Sequence, residues 1–382
     1  MLRGDLVKLV ESIHATAPMV VFEFAGAGAQ ALAWLHSVGG SSRTLLEATD
    51  RYAASAVTDM LGFEPEPFTS AQVARAMATK AFLRACYLAD PAANVGGIGL
   101  TATIATDRQK RGDHRCWLAV CDASGVTTYA LTLSKGARTR PEEEQLVSLL
   151  TLSAMAQFCG LSDLPVLPLL SQEELVEEFE AVGLLERLVT DEFGLITVWP
   201  DGRMVPAEFL PNIAILSGAF NPFHEGHRQL AEVAARILKQ EVYYELPLVN
   251  ADKGFIATNE ARRRIAQFAH VSPLILTAVP LFRQKARLFP HSIFVTGVDT
   301  VRRLTQPRFY HNDPQEMLGS FREIRTAGCR FLVPGRLENE QFVTLQDIQL
   351  PFGYQELFEG IPEVDFRVDI SSTALRQNQS IC

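Results

Sequence analysis

Apolar residues recur along this chain with two periods, about 3.6 and 2, and the switches between them mark its elements. Leu2, Leu6, Leu9, Val10 and Ile13 stand at helical spacing with charged residues between them, which predicts a surface helix over residues 2–14. A strand-like MVVFEF follows, then the small residues Ala25, Gly26, Ala27 and Gly28, then a helical AQALAWLHSV. Helical texture returns in SAQVARAMATKAFLRACYL, after which NVGGIGLTATIATD and HRCWLAVCDASGVTTYALTLS read as strands ending in a hairpin. The proline-spaced LSDLPVLPLL leads into Ser171, Gln172, Glu173 and Glu174, a capping-box start that predicts an acidic connector helix over residues 174–188. ITVWPDGRMV reads as a hairpin turning at Pro200, Asp201 and Gly202, either a lid or a strand pair between domains. From Ile213 onward IAIL, VYYELPLV, PLILTAV, HSIFVT and CRFLVPG predict strands separated by helices. That order implies a parallel sheet with right-handed crossovers, and a ligand site at the carboxyl ends of its strands.

Length and composition then set the scale. With 382 residues, 47% hydrophobic and 21% charged, the chain suits two soluble domains. We divide it at 1–162, a connector at 163–210, and 211–382. A formal charge of -9 argues against nucleic acid as a partner, although a local pocket can hold a small anionic nucleotide. The six cysteines form no CxxC pair and no cluster with zinc spacing, which points to a reducing compartment, the cytoplasm, and to no metal held by protein ligands. No apolar run approaches the ~18 residues a membrane span needs, and the start is not a secretory leader, so no membrane partner is expected.

The candidate chemistry lies in IAILSGAFNPFHEGHRQL. A strand breaks at Ser217-Gly218, passes Ala219, Phe220, Asn221 and Pro222, and enters a helix carrying His224, Gly226 and His227. The free N–H groups of a helix start and its dipole favour an anion at such a junction. Imidazoles three apart on a first turn project to one side and can donate to one oxyanion, and Gly226 between them leaves room for a phosphate or purine. Two such histidines could also merely cap or pack. Near the other end of the chain Ser371, Ser372 and Thr373 precede a helical pattern that reaches Arg376, a second anion cradle.

GAFNPFHEGH with ISSTALR resembles the nucleotidyltransferase superfamily that includes the nicotinamide and nicotinate mononucleotide adenylyltransferases, phosphopantetheine adenylyltransferases and cytidylyltransferases. A third element, Gly297-Val298-Asp299-Thr300, falls between the two signatures. The resemblance covers residues 211–382 and implies a Rossmann-like parallel-sheet domain. It implies nucleotidyl transfer, AMP before CMP, from a nucleoside triphosphate to a phosphate-bearing acceptor, with Mg2+ accompanying the triphosphate. His224 and His227 would meet the α- and β-phosphates, Ser372 and Thr373 the β- and γ-phosphates, and Arg376 the leaving pyrophosphate. Ser217, Gly218, Ala219, Phe220, Asn221, Gly226, Gly297, Asp299 and Ser371 would complete the nucleotide and acceptor sites. Lys253, in the loop after the second strand, would help hold phosphate. Nicotinamide or nicotinate mononucleotide is the leading acceptor, with phosphopantetheine or a polyol phosphate as alternatives. All three tryptophans precede the motifs, so Phe309 or Tyr310 would stack a pyridine ring where relatives use tryptophan.

The first half, about residues 6–160, resembles the C-terminal domain of the competence/damage-inducible CinA family, whose active members deamidate nicotinamide mononucleotide. The fold class expected for the whole chain is therefore α/β in two domains, CinA-C-like and then Rossmann-like. At the position of the family's serine nucleophile stands Phe24, and at its lysine Val57, side chains that can neither attack a carboxamide nor move a proton. A domain so altered would serve as a scaffold for homo-oligomers, a nucleotide sensor or a different catalyst. Gly26, Gly28, Gly97 and Gly99 would line a ligand pocket or simply allow close packing. The competing class for the entire chain is a non-catalytic nucleotide sensor or scaffold.

Overall fold

The alternation of strands and helices resolves into two large sheets, each with its own core, and two small two-stranded ones. The structure, a computed structural model, describes residues 4–90, 93–106, 112–181, 183–250, 254–269, 271–338 and 341–368. Lys253, Ser371, Ser372, Thr373 and Arg376 lie outside the described residues. The chain divides into two compact units, Met1–Arg187 and Leu188–Cys382.

In the first unit the chain runs α1 (Gly4–Thr16), β1 (Met19–Ala25), α2 (Ala29–His36), β2 (Leu45–Asp50), α3 (Ala54–Leu61), α4 (Ala71–Leu88), β3 (Val95–Thr103), β4 (His114–Cys121), β5 (Gly125–Leu133), α5 (Arg140–Phe158), β6 (Glu174–Ala181) and α6 (Leu184–Val189). The strands order β2-β1-β3-β4-β5-β6. β1 pairs in parallel with β2 and β3, and the pairings from β3 to β6 are antiparallel. Helix α4 lies so close to β3 that a Cβ on Gly97 would fall 2.2 Å from Ala78 O, and one on Gly99 2.2 Å from Ala74 O. Those two glycines are packing glycines. Phe24 and Val57 are each 4% exposed, apolar members of the interior.

The acidic helix expected over residues 174–188 is instead strand β6 followed by the short α6. Leu175 and Phe179, four apart, imitate a helical stripe, but Glu174, the acid that would close the capping box with Ser171, stands in a strand ladder opposite Thr132. Glu173 is ion-paired with Arg138 and accepts from the N–H groups of Ser134 at 3.0 Å and Leu170 at 2.8 Å. With the cap gone, β5 offers the segment a full antiparallel ladder, from Gly125 opposite Ala181 to Thr132 opposite Glu174.

The second unit continues with β7 (Leu195–Val198), β8 (Met204–Ala207), β9 (Ala214–Ser217), α7 (Glu225–Leu238), β10 (Val242–Pro247), β11 (Val249–Asn250), β12 (Gly254–Phe255), α8 (Thr258–Ala266), β13 (Leu274–Thr277) and α9 (Phe282–Leu288). Then come β14 (Ile293–Val295), α10 (Val298–Leu304), α11 (Pro314–Thr326), β15 (Arg330–Pro334), β16 (Arg336–Glu338), β17 (Gln341–Val343) and β18 (Phe358–Ile361). The main sheet orders β18-β15-β14-β9-β10-β13-β7-β8. From β18 to β13 every pairing is parallel. The hairpin β7–β8 extends the β13 edge antiparallel, so it is part of this sheet rather than a lid or a link between domains.

Helices cover both faces of this sheet, and its strands are accordingly near-continuous apolar runs: Ala214, Ile215 and Leu216 are at most 4% exposed, and Ile275, Phe294 and Phe331 at most 1%. From β9 the chain steps to β10 on one side, and later returns to place β14 on the other. That reversal opens a crevice beyond the carboxyl ends of β9 and β14, where an open α/β sheet takes its ligand.

Candidate active site

The loop from Ser217 to His224 sits at that crevice. Its conformation is set by burial of one ring. Phe220 has φ +43° and is 1% exposed, with its ring inside a cluster of Phe223, His227, Tyr244 and Phe268. A side chain on Gly218 would strike that ring at 2.7 Å, which explains the glycine. The Phe220 ring is thus part of the core, and what this position can offer a nucleotide is its backbone.

Helix α8 grips this loop through part of its Arg262–Arg263–Arg264 run, residues to which the sequence analysis assigned no role. Arg264 Nη1 donates to Ala219 O at 3.0 Å, and Gln267 Nε2 to Phe220 O at 2.9 Å. Phe223 N–H donates to Gln267 Oε1 at 2.8 Å, and Arg263 Nη2 to Asn221 Oδ1 at 2.7 Å. Glu260 holds both arginines, and their hydrogen bonds, that of Arg263 first, pull its carboxyl down to about 2. Spacing could have hinted at this, since residues 260, 263, 264 and 267 share one helical face.

The two histidines open α7. Their rings stack at 3.8 Å between centroids with 27° between planes. The backbone N–H of His224 donates to His227 Nδ1 at 3.2 Å. An accepting Nδ1 carries no proton, so neutral His227 keeps its hydrogen on Nε2 and presents a donor from that atom. Burial, then the neighbouring His224, pushes His227 down to about 4, and burial lowers His224 as well. Both imidazoles are thus neutral at pH 7, donors without charge. Nδ1 of His224 is buried and lacks a hydrogen-bond partner among the described residues.

Gly226 has a different reason from the expected one. A Cβ there would lie 3.0 Å from Val368 Cγ1 and 3.2 Å from the His224 ring, so the space is occupied by protein rather than left open for a ligand. The same contact brings the described chain, at Val368, to the first turn of α7 shortly before Ser371.

Gly297 is the N-cap of α10, and a Cβ on it would meet nothing within 4 Å. Asp299 is tied to Arg336 and to Arg302 at 3.4 Å, and Arg302 also donates to Glu338 at 3.3 Å. Beside α10 lies a cavity of about 390 Å³ lined by Arg302, Thr305, Gln306, Met317, Ile348 and Phe352, among others. Gln306 Oε1 is buried without a partner among the described residues. Tyr310 donates to Leu304 O at 3.1 Å and is pushed up to about 12 by burial, whereas Phe309 is exposed under the Arg308 guanidinium. Among the described residues no group of three or more His, Cys, Asp or Glu could hold a metal ion, and no helix is long and apolar enough to cross a membrane.

Comparison with known proteins divides along the same line. Residues 215–378 match the cytidylyltransferase-like family, within the nucleotidyltransferase superfamily. No curated protein matches the chain. Solved structures similar to its N-terminal portion include the competence/damage-inducible protein CihA from Agrobacterium tumefaciens, 20% identical, covering 41% of this chain and 98% of that one with a TM-score of 0.36. A competence or damage-inducible protein from Enterobacter asburiae is 13% identical over 41% of this chain and 96% of its own, TM-score 0.33. A CinA superfamily protein from Escherichia coli is 16% identical over 41% and 93%, TM-score 0.33. Nothing about activity follows from likeness at this level.

Proposed function

Because the C-terminal half is cytidylyltransferase-like, we propose that the second unit transfers a nucleotidyl group, AMP before CMP, from a nucleoside triphosphate to a phosphate-bearing acceptor. An acceptor phosphate oxygen attacks the α-phosphorus in line, the bond from that phosphorus to the β-phosphate oxygen breaks, and pyrophosphate leaves. No covalent nucleophile is required; the protein positions the reactants and meets developing charge.

One observation carries the reading: a neutral His227 whose Nδ1 is already an acceptor, and which therefore aims Nε2–H from the first turn of α7. Such a donor, together with the helix amides, suits the non-bridging phosphate oxygens. Ser371, Ser372, Thr373 and Arg376 complete the cradle in this reading, supported by the approach of Val368 to Gly226. Mg2+ travels with the triphosphate, bound by phosphate oxygens and water, and supplies charge neutralisation there.

For the acceptor we favour nicotinamide or nicotinate mononucleotide against α10. The cavity beside that helix offers Gln306 Oε1 as an unfilled hydrogen-bond acceptor, which a carboxamide NH2 would satisfy. To the first unit we assign no amidase, because Phe24 and Val57 are buried apolar groups. Self-association through that unit belongs to the same reading, supported by the open edge of β6 with Val176 49% and Phe179 57% exposed.

The test is pyrophosphate release with ATP and CTP against a panel of acceptor phosphates. His227→Ala should lower the rate about 10²- to 10³-fold, the cost of one preorganised donor, with the fold retained. Silence of the wild type with every pair would leave the sensor reading in its place, and wild-type rates in the variant would remove the histidine from the mechanism.

A further inference from the structure

Directly under the loop, at the carboxyl ends of β9, β10 and β13, lies a polar cluster that the reaction as written does not use. Glu245 and Thr277 are 0% exposed and Lys285 is 3% exposed. Lys285 Nζ donates to Glu245 Oε2 at 2.6 Å, and Thr277 Oγ1 donates to Glu245 Oε1 at 2.6 Å. Lys285 Nζ also donates to Ser217 Oγ at 3.3 Å. Ser217 stands opposite Glu245 in the sheet register and immediately before Gly218.

Stability alone is a poor reason for this cluster. Desolvating two charges in a sheet interior is expensive, and apolar residues of similar size commonly serve as well or better. The cluster does fix a direction. An ammonium is donor only, so Ser217 Oγ must accept from it, and the hydroxyl proton is turned elsewhere. Among the described residues nothing accepts that proton, and Ser217 is only half-buried at the crevice.

We propose that Lys285 is a positioning residue which, acting through Ser217, turns a hydroxyl donor toward the phosphates of the bound nucleotide. The ion pair is neutral as a whole, so it contributes orientation rather than attraction. Glu245 and Thr277 hold the ammonium where it can act. The proposal rests on the nucleotidyltransferase reading of this unit.

Binding to the full-length chain is measured by calorimetry with Mg·ATP, Mg·CTP and inorganic tripolyphosphate, and circular dichroism checks the fold. Ser217→Ala should weaken the tightest of these probes about tenfold or more, as expected for a hydrogen bond to a charged group. The paired variant Glu245→Gln/Lys285→Met should lose a similar factor. Adding Ser217→Ala to that pair should then cost less than about twofold more, because the hydroxyl is no longer directed. A merely structural pair would instead give losses that multiply. Should the paired variant not fold, Glu245→Leu/Lys285→Leu replaces the cluster with apolar groups and serves the same cycle. A wild type that binds none of the probes defeats the nucleotidyltransferase reading and this inference with it. A wild type that binds, with Ser217→Ala neutral or the losses multiplicative, overturns this inference alone.

Discussion

Protonating His227 is the perturbation with the most direct physical consequence. Its ordinary value of 6.5 falls to about 4 in the fold, first through burial and then through His224. The folded state therefore prefers the neutral ring, and between those values the unfolded chain binds more protons. Stability from this group is fully present above about pH 6.5, falls as the pH drops toward 4, and changes no further below it. At pH 4.5 the linkage amounts to about 2.5 kcal/mol, which contact of the ring edge with solvent trims to about 2 kcal/mol. The measurement is urea unfolding of wild type and His227→Gln at pH 7 and pH 4.5. Trp199 is the one tryptophan beyond residue 187, so Trp34→Phe/Trp117→Phe proteins report the second unit by fluorescence. The difference between wild type and His227→Gln should shift by about 2 kcal/mol against the wild type on acidification. A difference that stays flat would mean that His227 titrates normally, and the assignment of Nε2–H as a neutral donor at pH 7 would lose its basis.

Other outcomes follow from the same geometry. Gln267→Ala removes two hydrogen bonds to the loop, at 2.9 and 2.8 Å, and should raise the KM for the triphosphate by roughly tenfold with little change in melting temperature; an unchanged KM would free α8 of that role. Gly226→Ala gains helix propensity of about 1 kcal/mol but presses on Val368 and the His224 ring, so stability should hardly move while triphosphate binding weakens. Calorimetry and a melt on one sample decide that. Chelation by EDTA should abolish pyrophosphate release and leave the melting curve in place, since the metal belongs to the substrate in this reading; a lowered melting temperature would reveal a structural ion.

What the sequence determined is local. The strand, turn and helix start around Ser217–His227, the alternation that makes the second sheet parallel, and the Pro200–Gly202 hairpin are written in residues close to one another, through backbone propensity, turn chemistry and periodicity. Two histidines three apart on a helix start must share a side whatever surrounds them. The tertiary structure decided which polar groups pair. Glu173 paired with Arg138 and Glu174 joined the ladder on β5, so residues 174–181 became a strand. Arg264 turned inward to the loop while Arg263 reached Asn221 from the surface, and Gly226 faced Val368 instead of open space. Lys285 met Glu245 across forty positions of sequence. No local rule encodes such meetings, because a buried charge depends on partners that only the folded chain brings within reach, and on the water it excludes there.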